Sequence, residues 1–372
     1  MRVPATFQAF INREVHYVIR FRVLAMSVLV VASTAETTRA QVEISARSAQ
    51  VRFGGRLHSQ FATSSAEGGK ATDFFTRRAR FTLDIGVTDL LDARVQPDFG
   101  GGELELKDAY FRLNVSRGFR FSVGQFKRAF DIFELNSSTD IVVVERTGRI
   151  NGLVGCAGPG GTCTLSRFTE KLAYSDRDIG FKADGSLGDR LSYMATLTNG
   201  TGTAGSDENS GKSLAGRLTV RLTDGVSASA NLSRHDYVGP HGEGASATAF
   251  GGDLEIGGFR SGTHLQVGLV GGANWRLPES AGGEVPSFLT GQVILSRYVP
   301  IENGNFEAVE PMARVSWGDP NRNALDDGGL LLTPGLFLYV AGKNRIGANL
   351  DIYDSARGSR EVSFKLQTYL YY

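Results

Sequence analysis

From residue 50 to residue 372 one pattern keeps returning: an apolar side chain at every second position, with polar or charged side chains between. In the stretch FFTRRARFTLDIGV, residues 74–87, one phase carries Phe75, Arg77, Ala79, Phe81, Leu83, Ile85 and Val87. The other carries Phe74, Thr76, Arg78, Arg80, Thr82, Asp84 and Gly86. A period of two is the period of a β-strand, whose successive side chains point to opposite faces. The same alternation sets Leu57 and Phe61 against Arg56, His58 and Gln60. It sets Val95 and Phe99 against Arg94, Gln96 and Asp98, and Leu218 and Val220 against Arg217, Thr219 and Arg221. Two folds use such strands. A soluble β-protein turns the apolar phase to a core; a membrane barrel turns it to lipid and leaves the polar phase in a water-filled lumen.

The connections separate the two. Short turns (VTDLLD, SRG, LGD, TDG, GGFRSG, AGKN) alternate with longer polar loops such as TSSAEGGKATD, NGTGTAGSDENSG and GDPNRNALDDG. Short connections at one end and long ones at the other are the layout of an up-and-down outer-membrane barrel. About 20 residues per strand and connection predicts an even count of about 16 strands, with 14 and 18 as the neighbouring solutions. The chain ends on VSFKLQTYLYY, an alternating strand closed by the aromatic Tyr372. Such an ending resembles the signal read by the outer-membrane assembly machinery, which makes that machinery an expected partner together with outer-membrane lipid.

Composition adds an address. Arg20 and Arg22 precede the apolar run VLAMSVLVVASTA, which is too short to span a bilayer comfortably but suits the apolar region of a signal peptide. Small residues at Thr38 and Ala40 predict cleavage after Ala40, with Ala35 as the alternative. The expected organisation is a leader over residues 1–40 and a barrel over 41–372. Removing 1–40 takes away five arginines and two glutamates, leaving 35 basic and 37 acidic residues. That balance offers nothing to nucleic acid; any attraction for anions has to come from local basic clusters. The mean hydropathy of −0.13 does not suggest helical membrane spans. Cys156 and Cys163 stand seven apart, and in an oxidising compartment that spacing suits a small loop disulfide. No metal or other cofactor is implied, since the histidines lie on different strands with no second ligand at fixed spacing.

Residues 126–163, FKRAFDIFELNSSTDIVVVERTGRINGLVGCAGPGGTC, break the alternation. The segment is too long for an ordinary connection and too rich in Phe, Ile and Val for disorder. Inside a barrel it reads as a third long loop, after the fifth strand, folded into the lumen as a constriction. Here the sequence resembles the phosphate-selective porin O and P family. The motifs are an Arg-Arg strand, an Asp-Phe strand end, a Lys-Asp-Ala-Tyr strand, a Gly-Gln-Phe-Lys strand end, and a loop with Glu-Leu-x-Ser-Ser and Glu-Arg, in that order from Arg77 to Arg146. The resemblance implies a 16-stranded trimeric outer-membrane porin. It places Arg77, Arg78 and Arg80 on the basic strand, Lys107 and Asp108 on the next motif, and Lys127, Ser137, Ser138, Glu145 and Arg146 in the loop. Two departures stand out: KRAF where family loops often read Lys-Pro-Pro-Phe, and Thr139-Asp140 where a basic and an aromatic residue follow Ser-Ser. An acid at 140 sets strict phosphate selectivity against a general, unselective porin.

The candidate pore-lining residues are therefore Arg77, Arg78, Arg80, Lys107, Arg112, Lys127, Arg128, Ser137, Ser138, Arg146, Arg149, Arg217 and Arg221, with Asp140 and Glu145 as constriction acids. Arginine offers a planar fork of donors and stays charged; serine adds a donor without charge. A ring of such groups in a narrow pore favours small anions such as phosphate. Strict alternation leaves one conflict, because Arg77 falls on the lipid phase. Two other classes compete. An enzyme barrel would need a Ser-His or Asp-His pair near the lipid rim, and none is visible in the sequence. A secreted all-β binding protein would leave the aromatic last strand and the short/long rhythm without a reason.

Overall fold

The computed structural model of the protein describes residues 42–46, 49–65, 72–146, 164–203, 207, 209–239, 241–278, 283–356 and 360–372. The expected leader at 1–40, Arg149, Cys156 and Cys163 lie outside the described residues. The barrel strands are β1 (Ala49–Ser64), β2 (Thr72–Gly86), β3 (Leu91–Asp98), β4 (Glu105–Ser116), β5 (Phe119–Lys127), β6 (Arg177–Leu187), β7 (Leu191–Thr198) and β8 (Ser213–Thr223). They continue with β9 (Val226–Val238), β10 (Gly244–Ile256), β11 (Thr263–Ala273), β12 (Ser287–Arg297), β13 (Phe306–Asp319), β14 (Gly329–Ala341), β15 (Asn344–Ser355) and β16 (Glu361–Tyr371). Val299–Asn303 continues β12 and pairs with β13, and Val42–Ala46 folds back on the start of β1.

Each strand pairs antiparallel with the next, and β16 pairs with β1 from Ser363↔Ser64 to Tyr371↔Arg56. The result is a closed barrel of 16 strands, which leaves no sheet edge unpaired. Tyr372 finishes the seam. Its carbonyl accepts from the Gly55 N–H at 2.9 Å, and its ring lies beside Phe53 and Phe81. A side chain at Gly55 would have its Cβ 2.5 Å from that ring, so only glycine admits the terminal tyrosine.

The two faces are the reverse of a soluble protein's. Buried positions on the strands hold His58, Gln60, Gln96, Ser122, Gln292 and Lys365, whereas Leu57, Phe111, Leu218, Leu295 and Leu336 are exposed on the outside. Among the described residues no helix is long and apolar enough to cross a membrane; strands of 8 to 16 residues make the crossing.

An apolar core does exist, but inside the barrel and on one side of it. The described residues after β5, 128–146 and 164–176, fold into the lumen with two short helices, α1 (Ile132–Leu135) and α2 (Leu165–Lys171). Phe130, Phe133, Leu165, Phe168, Leu172 and residues 141–144 pack on Val270, Phe288, Met312, Phe337, Tyr339 and Tyr369 of the wall. Burying each large apolar side chain stabilises the loop by about 1.5–3 kcal/mol. Two wall glycines are sockets for this packing. A Cβ on Gly268 would come 2.6 Å from the Phe133 ring, and one on Gly318 would come 2.0 Å from the Phe168 ring. Beside the loop a cavity stays open against β1–β6.

Candidate functional site

Consecutive arginines cannot both face the lumen of a regular strand. β2 is not regular. Its register with β1 runs His58↔Arg78 and then Ser59↔Thr76, so Arg77 and Arg78 together oppose His58. That extra residue is a β-bulge, which re-aims the chain by one position. Above it the phases exchange. Phe74 is 77% exposed on the outside, its ring tilted against Phe61, and Phe75 turns inward against Ala62. The expectation that Arg77 and Phe75 share the lipid phase is thus corrected, and the physical reason is the bulge. A second bulge lies close by. In β4 the pairs Val95↔Ala109 and Pro97↔Leu106 leave Lys107 and Asp108 together opposite Gln96.

Side chains satisfy the backbone groups that the bulges leave free. Asp98 Oδ1 accepts from Ala79 N and Gly100 N, both at 3.1 Å, and its Oδ2 accepts from Arg80 Nη2 at 2.6 Å. Gln125 Nε2 donates to the carbonyls of Leu106 and Lys107. The motifs Arg-Arg, Asp-Phe, Lys-Asp and Gly-Gln thus meet at one level of the barrel, although they are far apart in the chain.

The loop is held against this level by two buried arginines of the far wall. Arg314 Nη1 donates to the carbonyls of Glu145 and Arg146 at 2.9 and 3.1 Å. Arg345 donates to those of Thr139 and Ile141, with its guanidinium boxed by Phe259, Phe337, Tyr339 and Tyr369. Asn349 Oδ1 accepts from Val144 N at 2.6 Å. On the near side Arg77 makes a two-pronged pair with Glu145, Nε to Oε1 at 2.6 Å and Nη2 to Oε2 at 3.1 Å. Burial pushes the Glu145 carboxyl up, but the Arg77 and Arg78 guanidiniums outweigh it and hold the group below its ordinary value. Asp131 caps α1, accepting from Phe133 N at 2.9 Å, and joins it to α2 through the Thr169 hydroxyl, also at 2.9 Å. Burial pushes its carboxyl up to about 7; the Thr169 bond opposes this and nearby Glu134 adds to it.

Between loop and wall is a cavity of about 460 Å³. Its lining includes ten cations, Arg56, Arg77, Arg78, Arg80, Arg94, Lys107, Lys127, Arg146, Arg167 and Arg177, and seven acids, Asp98, Glu105, Asp108, Glu134, Glu145, Glu170 and Asp176. Eight of the ten cations have a carboxylate within ion-pair distance: Arg77, Arg80, Arg94, Lys107, Lys127, Arg146, Arg167 and Arg177. Arg56 and Arg78 have none among the described residues. Arg56 Nη1 donates to the Ser138 hydroxyl at 2.6 Å, and Arg78 Nη1 stands 3.3 Å from His58 Nδ1. Both lie on neighbouring strands, since Arg56 pairs with Arg80 and His58 with Arg78. The cavity therefore offers two uncompensated guanidinium forks and a hydroxyl, the donor set that replaces the hydration of an oxyanion.

The candidate residues divide by position. Arg77, Arg78, Arg80, Lys107, Lys127, Ser137, Ser138, Glu145 and Arg146 line this cavity. Asp140 does not: its carboxylate is paired with Lys343 at 2.6 Å, in the short turn between β14 and β15. Arg128 lines a separate cavity with Trp275 and His235. Arg112 pairs with Asp92, and Arg217 with Asp253. Arg221 stands in a small rim cleft with Arg117 and Arg190. Four lining cations were not among the candidates: Arg56, Arg94, Arg167 and Arg177. Arg56 and Arg94 were visible as polar-phase cations, but only strand register sets Arg56 beside Arg78. Arg177 opens β6, and its bond to Asp108 at 2.7 Å carried no signal in the sequence.

The fold is similar to solved outer-membrane channels. It matches the channel DcaP of Acinetobacter baumannii with a TM-score of 0.60 at 12% identity, over 88% of this chain and 99% of that one. It matches an anion-selective porin from Comamonas acidovorans with a TM-score of 0.61 at 12% identity, over 87% and 100%. The trimer form of OmpT from Vibrio cholerae matches with a TM-score of 0.58 at 13% identity, over 87% and 100%. At these identities the likeness is one of fold. No curated protein matches by sequence. The family model described as phosphate-selective porin O and P matches residues 51–239, just over half of the chain. That span contains both bulges, the clustered cations and the inward loop, and the protein belongs to the phosphate-selective porin O and P family, a channel for small solutes in the outer membrane.

Proposed function

We propose that this channel prefers small anions, with phosphate or a related oxyanion bound transiently at its narrowest level. The observation that carries the reading is the state of Arg56 and Arg78. They are the two cations of the cavity between loop and wall, the eyelet, that have no carboxylate partner among the described residues, and the Ser138 hydroxyl lies beside them. The other eyelet cations are compensated, so the site is weakly rather than strongly basic. Conduction needs that weakness, because a bound ion must leave as readily as it enters. Asp140 pairs with Lys343 and is not part of the cavity lining, which supports the anion reading over an unselective pore. The reading extends to a homotrimer, supported by the trimeric form of a channel of similar fold, and to export with removal of residues 1–40.

The test is the reversal potential of the purified protein in a planar bilayer under a potassium chloride gradient, repeated with added phosphate. Anion preference with phosphate inhibition of the chloride current is expected. A cation preference, or currents indifferent to phosphate, would reject the reading and leave a general diffusion channel on the same scaffold.

A further inference from the structure

The outer wall of the barrel should present large apolar side chains to hydrocarbon, and over β9–β12 it mostly does. Leu232 is 48%, Phe250 63% and Leu269 50% exposed there. Two glycines interrupt this surface. Gly252 pairs with Ala230 on one side and Leu269 on the other, and Gly271 pairs with Phe250 and Leu289. With no side chains at these points, the wall has a groove of about 480 Å³, flanked by Phe250, Leu254, Leu269 and Leu289. In a bilayer an unfilled groove forfeits dispersion contacts on one side, so a flexible apolar chain is the natural filler.

A second feature shows what that chain is attached to. Arg234 lies on the same outward face of β9, exposed, two residues above Leu232, which pairs with Phe250. Two residues of strand rise about 7 Å. No carboxylate pairs with Arg234 among the described residues. An outward arginine costs about 2–4 kcal/mol at the bilayer midplane and about 0–1 kcal/mol near the interface, so it belongs at the headgroups. β9 runs from a short turn toward a longer loop, and Arg234 lies in its loop-side half, which places it on the side of the outer leaflet. The groove begins in the same half of the wall, where Gly271 and Leu289 lie near the loop ends of β11 and β12, and runs toward the short-turn end of β10 through Gly252 and Leu254.

We propose that β9–β12 form a binding site for a phosphorylated, multiply acylated glycolipid of the outer leaflet. Its phosphate pairs with Arg234, and one acyl chain lies in the groove over Gly252 and Gly271. The inference is independent of the ion preference of the pore, which lies inside the opposite wall.

The test is native mass spectrometry of the folded barrel in detergent, incubated with bis-phosphorylated hexa-acyl lipid A, with its dephosphorylated form, or with phosphatidylglycerol. Wild-type protein is expected to retain the phosphorylated glycolipid in preference to both others. Arg234→Ala should weaken retention about tenfold, which corresponds to about 1.4 kcal/mol, and should erase the difference between the phosphorylated and dephosphorylated forms. Gly252→Leu should fill the groove and weaken retention of both. A Cβ at that position meets only Ser229 O at 3.6 Å, so the barrel tolerates it, and unchanged single-channel conductance of both variants verifies the fold. Equal retention by wild type and both variants would overturn the proposal. So would equal retention of phosphatidylglycerol, or a second copy of the chain lost on Gly252→Leu in place of lipid.

Discussion

Replacing Arg56 and Arg78 together by alanine should abolish most of the phosphate inhibition of chloride current. These two guanidiniums are buried to 9% and 5% exposure, line the eyelet and lack carboxylate partners among the described residues. A hydrogen bond to a charged group contributes about 1.5–3 kcal/mol net. Each lost fork should therefore raise the inhibition constant by roughly ten- to a hundredfold, since 1.4 kcal/mol is a factor of ten. Non-additivity between neighbours on paired strands limits the double variant to about a hundredfold. The assay is titration of phosphate into single-channel recordings at fixed chloride. Arg78→Lys should fall between, because lysine keeps the charge and loses the planar fork. Arg217→Ala is the control: Arg217 pairs with Asp253 and does not line the eyelet, so inhibition should be unchanged. An inhibition constant within threefold of wild type in the Arg56/Arg78 double variant would refute the assignment.

Three further outcomes follow from the packing and charges of the loop. Gly318→Val would drive a side chain into the Phe168 ring and should displace the α2 part of the loop; single-channel conductance should rise and the barrel lose about 1–3 kcal/mol, read from heat-induced gel mobility. Arg77→Ala leaves the buried Glu145 carboxylate without its two-pronged partner, which should destabilise the docked loop by about 3–5 kcal/mol and appear as flickering currents and faster proteolysis within the loop. The Asp131 carboxyl, raised by burial to about 7 against an ordinary 3.8, is protonated in the folded loop at pH values where the undocked loop has lost its proton. Docking is therefore favoured at low pH, and this contribution is lost as pH rises from about 4 through 7. Open-channel noise should grow between pH 5 and 8, and Asp131→Asn, which keeps the cap acceptor, should flatten that dependence; an unchanged slope in the variant would exclude Asp131 as its source.

Alternation together with the rhythm of the connections was enough for the architecture. Period two with short and long connections requires a barrel whose polar phase faces water, because a side-chain phase is a local property of each strand. The aromatic end and the apolar, non-alternating segment after β5 were equally local, so the closing strand and the inward loop were legible. The bulges were not, since nothing in TRRAR or LKDAY marks one residue as extra. A bulge exists only in the pairing of two strands, and it alone turns Arg77 beside Arg78 and Lys107 beside Asp108 into one lumen. Compensation was hidden for the same reason. Arg78, Arg217 and Arg314 look alike as polar-phase arginines, yet one has no carboxylate partner among the described residues, one is matched by Asp253, and one grips loop carbonyls beside Asp351. Which strand face a residue occupies is determined by its neighbours in sequence. Which partner neutralises its charge is determined by register and by where the loop lands, and only the tertiary structure decides those.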